Sequence, residues 1–169
     1  YSSFWFCEKL SNTKDQVRNG DRIMNIEKLR EEIEYDEGNV EKIYLDHLGL
    51  PTFGIGHLVR ESDPEHGWEV GTEVSNDRCV EAFNEDIKTV VSDCYKLYPD
   101  FDDLPEEAQR IIANMCFNLG YPRLSKFKGM KRGVDARDWQ SAADEMVDSR
   151  WYRQVTKRAD RLVERMRNI

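Results

Sequence analysis

Apolar positions change their period twice along this chain. Ile26, Leu29 and Ile33 recur at helical spacing, and Gly38 supplies a natural stop. Residues 39–58 break that rhythm. Short alternating and aromatic runs, KIYLD and PTFGIGHL, are punctuated by Gly49, Pro51, Gly54 and Gly56, which predicts a small β-sheet with tight turns. RESDPEHGWEVGTE then reads as a surface loop. From Ser75 the helical period returns. Cys79, Phe83, Ile87, Val90, Cys94 and Leu97 form one stripe on a long helix, capped by Ser75 or Asn76 and stopped by Pro99.

DDLPEEAQRIIANMCFNLGYP predicts another helix. Asp103 is its expected cap, Pro105 and the two Glu suit its first turn, and Gly120-Tyr121-Pro122 ends it. Ala108, Ile111, Ile112, Met115, Cys116 and Leu119 give it a broad apolar face, as expected of a helix deep in a core. Two or three more helices cover DARDWQSAADEMVDS and QVTKRADRLVERM. The expected layout is α+β and mostly helical. An N-terminal extension (1–22) precedes a domain (23–169) with a β lobe (39–75), a connecting helix (76–97) and a helical lobe (98–169).

Composition adds limits. A chain of 169 residues, 39% hydrophobic and 34% charged, suits one globular domain. No apolar run approaches the ~20 residues of a membrane span. A net charge of −8 argues against a nucleic-acid partner, which needs clustered Lys and Arg. The first residue is Tyr rather than Met, and YSSFWFC lacks the basic start and long apolar core of a signal peptide, so a processed chain is expected.

The four cysteines, Cys7, Cys79, Cys94 and Cys116, permit two disulfides or four buried thiols. A Cys79–Cys94 bridge is excluded, because those residues would lie roughly 22 Å apart on a straight helix. Cys94–Cys116 is the preferred pairing, since both sit on core faces of adjacent helices. That leaves Cys7 with Cys79 to tie down the N-terminal segment.

Several motifs invite chemistry. GIGH is no phosphate loop, because no Gly-Lys-Ser/Thr follows. His57, His66 and Cys79 make a weak zinc set, and no metal or other cofactor is expected. His57 reads as a hydrogen-bonded structural residue whose expected partner is Asp86 on the long helix. Glu37 and Asp46 are a carboxylate pair of the kind glycoside hydrolysis requires. One must hold a proton for the leaving oxygen, and the other must be ionised to activate water. By spacing alone that signal is weak, since 33 acidic residues offer many such pairs.

Taken together, YDEGNVEKIYLDHLGLPTFGIGHL resembles the signature of the phage-type lysozymes, the T-even phage endolysin family also found in some bacteria and bivalve molluscs. ANMCFNLG and SRWYRQVTKRADR resemble that family's other two signatures, in the same order. The resemblance covers roughly residues 24 to 165. It implies a lysozyme-like two-lobed fold and hydrolysis of the β-1,4 bond between N-acetylmuramic acid and N-acetylglucosamine in peptidoglycan, with inversion. Glu37 corresponds to the general acid, Asp46 to the second carboxylate, and Thr52 to the threonine that helps hold the attacking water. Leu58 and Phe117 match sugar-contacting positions, and Asn118 falls where the family often has Gln. Arg158 matches an arginine close to the catalytic Glu. Arg161 matches one that pairs with the preceding Asp, here Asp36.

The implied protein is a cofactor-free, monomeric, bacteriolytic muramidase acting on bacterial peptidoglycan, with neither nucleic acid nor membrane as partner. It would be a secreted antibacterial protein or a phage endolysin. The alternative is a non-catalytic peptidoglycan-binding protein on the same fold. This chain also departs from the family. It is acidic where many wall-lytic members are basic, its loop after His57 is shorter, and two further sugar-contact positions fall on Met130 and Glu145.

Overall fold

A computed structural model describes residues 24–169. The predicted N-terminal extension and Cys7 lie outside those residues. The chain divides into two compact units, one spanning residues 27–89, the other spanning 90–169 with the few described residues before 27.

In the first unit, α1 (Ile26–Glu37) buries Leu29 and Ile33. It stops where predicted. Gly38 takes φ +76°, and its N–H returns to Glu34 O at 2.7 Å. Only glycine adopts that left-handed conformation without strain. A three-stranded antiparallel sheet follows, in the order β1 (Val40–Leu45), β2 (Pro51–Gly54), β3 (His57–Leu58). Tyr44 pairs with Thr52, and Thr52 with Leu58; Phe53 pairs with His57. Strand alternation sends these two rows to opposite faces. Ile43 and Phe53 are buried with Val74, Cys79 and Ala82 in an apolar cluster.

The segment 59–75 is more than the surface loop its composition suggests. Its end runs antiparallel to β1 through a Lys42–Glu73 bridge. Gly71 N–H donates to Ile43 O, and Ile43 N–H to Thr72 O. The carboxylates of Asp63 and Glu65 are buried.

α2 (Asn76–Leu97) is the long helix, begun as predicted by Ser75, whose Oγ accepts from Arg78 N–H at 3.2 Å. Among the described residues, no helix is long and apolar enough to cross a membrane.

The second unit is helical. α3 (Glu106–Leu119) carries nine consecutive buried residues from Ala108 to Cys116, as its broad apolar face predicts. Asp103 is not its cap. It lies in a separate 3-10 turn, Phe101–Asp103, and Pro105 occupies the cap position. The Gln109 amide donates to Leu104 O at 3.0 Å, tying the helix to the preceding turn. After α4 (Tyr121–Leu124) comes α5 (Lys128–Asp135), which the sequence does not announce. Gly133 permits close packing there. A Cβ there would stand 2.6 Å from Ala142 N, in α6 (Trp139–Val147). α7 (Arg150–Gln154) and α8 (Thr156–Arg167) complete the unit.

Cys94 and Cys116 do meet in the core, but as free thiols rather than as the expected disulfide. Cys94 is hydrogen-bonded to Cys116, and that bond together with burial pushes its thiol pKa well up. Cys116 Sγ reaches Val90 O at 4.0 Å. Cys79 is also a free thiol, packed against the Gly54 backbone of β2, and its expected partner Cys7 lies outside the described residues.

Candidate active site

The tip of the β1–β2 hairpin is organised by the backbone of one residue, Leu50. Its N–H donates to Asp46 Oδ1 at 2.9 Å. Its carbonyl accepts the Asp46 N–H at 3.0 Å and the Thr52 hydroxyl at 2.9 Å. Leu48 N–H adds a second donor to Asp46 Oδ1 at 2.8 Å. Asx geometry of this kind is what Asp supplies at a tight turn, and Gly49 at φ +77° closes it. The Leu50 bond, then the Leu48 bond and the nearby His47, lower the Asp46 pKa against the opposing effect of burial. Asp46 therefore stays ionised, with both backbone donors on one oxygen.

Glu37, the last residue of α1, lies against the backbone of Gly56. A Cβ built on Gly56 would stand 3.2 Å from Glu37 Oε2. Gly56 takes φ +63°, so the β2–β3 turn itself also favours glycine. Thr52 is 4% exposed, whereas its cross-strand partner Leu58 is 47% exposed. Tyr44, the other cross-strand neighbour of Thr52, feels the charge of both Glu37 and Asp46. Thus Glu37, Asp46, Thr52 and Leu58, singled out from sequence, all belong to this unit.

Two residues escape a reading of sequence. Tyr44 is signalled only by strand alternation, two residues before Asp46. Gly56 is signalled only by its place in GIGH, and its role depends on how closely Glu37 approaches.

On the opposite face, His57 is 1% exposed and held at both ring nitrogens. Nδ1 lies 2.7 Å from Asp86 Oδ2, the expected partner, and Nε2 lies 2.8 Å from Asp63 Oδ2, which sequence did not anticipate. Two carboxylate partners require two donors, so the ring is an imidazolium. Burial works to lower its pKa, but the bonds to Asp86 and Asp63 outweigh it, and the net direction is up. Burial likewise opposes ionisation of Asp63, yet the Arg60 N–H, His57 and Arg78 bring its pKa down. Arg60 pairs with Asp86, and Arg78 reaches Glu65 at 2.6 Å and Asp63 at 3.3 Å.

The remaining candidates are carried by α1 and by helices of the second unit. Asp36 is half-buried in α1, beside Glu37. Phe117 and Asn118 are half-buried in α3, and Asn118 Oδ1 accepts from Trp151 Nε1 at 2.8 Å. Arg158 is buried in α8, its Nε donating to Asn114 Oδ1 at 2.9 Å, and Arg161 is exposed on the same helix. Met130 is fully buried, so its side chain is part of the core. Among the described residues, no cluster of three or more His, Cys, Asp or Glu has a metal-holding arrangement.

Comparison with known proteins gives a consistent result. The profile of the phage lysozyme family matches residues 34–168. A probable T4-type lysozyme 2 of Dictyostelium discoideum is 26% identical over 157 residues, covering 82% of this chain and 92% of that protein. A second protein of that organism, probable T4-type lysozyme 1, is 24% identical, with 82% and 92% coverage. The pre-baseplate central spike protein Gp5 of Enterobacteria phage T4 is 28% identical over 79% of this chain, a match that spans 26% of the spike protein.

Proposed function

The chain belongs to the phage lysozyme family of muramidase-type glycosidases, and on that premise we propose that it cleaves the β-1,4 bond between N-acetylmuramic acid and N-acetylglucosamine in bacterial peptidoglycan, with inversion. Glu37 is the general acid and gives its proton to the leaving glycosidic oxygen. Asp46 is the base that draws a proton from the attacking water. Inversion requires the two carboxyl groups to stand about 6.5–9.5 Å apart, with the water between acid and base.

The observation that carries this reading is the bonding of the Leu50 backbone. Its carbonyl accepts the Thr52 hydroxyl, and its N–H donates to one oxygen of Asp46. Thr52 Oγ therefore has acceptor capacity to offer, and Asp46 Oδ2 carries no backbone donor. A water that donates one proton to each keeps a lone pair for the anomeric carbon. Orientation of this kind makes water a competent nucleophile without a cofactor. Leu58 offers exposed apolar surface to the sugar, and Phe117 and Asn118 are assigned as further sugar contacts. Asp36, Arg158 and Arg161 are assigned supporting roles on the family pattern, and bacteriolysis outside the producing cell is the corresponding biological role.

The test is digestion of purified peptidoglycan with the released reducing ends measured. Glu37→Gln should cut the rate roughly 10²–10⁴-fold, with an unchanged melting temperature. Equally slow clearing by both proteins would instead support a non-catalytic peptidoglycan-binding protein. The first-formed anomer, read by NMR, should be α; a β product would overturn inversion.

A further inference from the structure

We infer that Tyr44 is a substrate-contacting residue of this site, its phenol hydroxyl hydrogen-bonding the saccharide laid across the row Tyr44–Thr52–Leu58. The inference rests on the glycosidase reading above and adds to it a donor outside the acid, the base and the water-holding threonine.

Placement comes first. Tyr44 is the direct cross-strand partner of Thr52, and Thr52 of Leu58, so the three side chains stand in one row on one face. Asp46, two residues on, begins the turn just past the end of β1. Tyr44 is half-buried, unlike Tyr35 on α1, which is 77% exposed.

Bonding comes second. The hydroxyls of Tyr95 and Tyr152 are engaged by Asp102 and Asp160. That of Tyr44 has no hydrogen-bond partner among the described residues. A half-buried phenol beside two carboxylates, yet bonded to neither, has a donor to give to something that arrives.

Chemistry comes third. A sugar presents apolar ring faces and hydroxyl edges, and a phenol matches both with one rigid side chain. Burial, then the charges of Glu37 and Asp46, raise the Tyr44 pKa, so the hydroxyl remains a donor throughout neutral pH. Being neutral, it leaves Glu37 its proton, whereas a lysine at this position would compete for the carboxylate.

Tyr44→Phe keeps the ring and the strand preference and removes only the hydroxyl. On peptidoglycan it should lower kcat/KM about tenfold, the size of one lost hydrogen bond. The loss should be the same at every pH, and the melting temperature should not move. Tyr44→Ala should lose more. Unchanged kcat/KM in Tyr44→Phe overturns the inference, as does a loss that tracks a fall in melting temperature. A displaced limb of the pH profile also overturns it, since Tyr44 would then act through Glu37 or Asp46 instead of the sugar. Glu37→Gln run alongside separates the two readings. If it is dead while Tyr44→Phe is wild-type, only the Tyr44 assignment falls; if it is active, the glycosidase reading falls and takes Tyr44 with it.

Discussion

On one face of the small sheet, Ile43, Phe53 and His57 are sealed from solvent; on the other, Tyr44 and Leu58 flank Thr52, beside Asp46. Neighbouring residues of the same strands thus meet opposite demands. On the sealed face the one polar side chain, His57, has every hydrogen-bonding group satisfied by a carboxylate. Burial without such partners would cost several kcal/mol. On the open face polar groups are deliberately incomplete. Asp46 has both backbone donors on one oxygen, Thr52 has given its proton away, and Tyr44 has given nothing. Completeness holds the fold, and incompleteness leaves valences for a ligand.

Three experiments probe that division. The largest effect is expected on the sealed face. His57→Gln leaves Asp63 and Asp86 without their shared cation, and removing one partner of a buried ion pair costs about 3–5 kcal/mol. Denaturant melts should show that loss, while kcat of the folded fraction stays near wild type. A collapse of kcat with stability intact would break the comparison.

Gly56→Ala should do both kinds of damage on a smaller scale. The backbone at φ +63° resists a side chain, for roughly 1–2 kcal/mol, and the new Cβ crowds Glu37 Oε2. Activity of the folded protein should therefore fall as well. A variant that loses stability alone would show that Glu37 is indifferent to its contact.

The smallest effect is a pH dependence. The folded-state pKa of His57 is raised, so its stabilisation is full below the unfolded value of about 6.5 and is lost as pH rises through the folded value. Asp63 is depressed, so its stabilisation is present above about 3.9 and is lost as pH falls through its folded value. The alkaline decline in melting temperature should be shallower in His57→Gln than in wild type. Parallel curves would show that the imidazolium contributes nothing to it.

Much of this was legible in the chain. Periodicity located α1, α2 and α3, and the glycine punctuation located the sheet, because burial and backbone strain act on residues close in sequence. The Asp86 partner of His57 was readable from a single helix face. Asp63 was not, because it sits in a polar loop whose composition suggests exposure, and only the fold brings its carboxylate to the ring. α5 was missed for a related reason. Gly133 looks like a helix breaker until the close approach of Ala142 shows why nothing larger fits. The cysteines warn in the other direction, since facing helical stripes place Cys94 and Cys116 together without requiring a bond between them.

Leu50 also sets the length of its turn. Because it clasps Asp46 with its N–H and Thr52 with its carbonyl, the turn between them works as a ruler. Leu48 projects from it into solvent, so that side chain is free to drift. The length of the turn is not. One residue more or fewer would invert the alternation of β2 and turn Thr52 into the core. In this hairpin the number of residues is under tighter constraint than most of their identities.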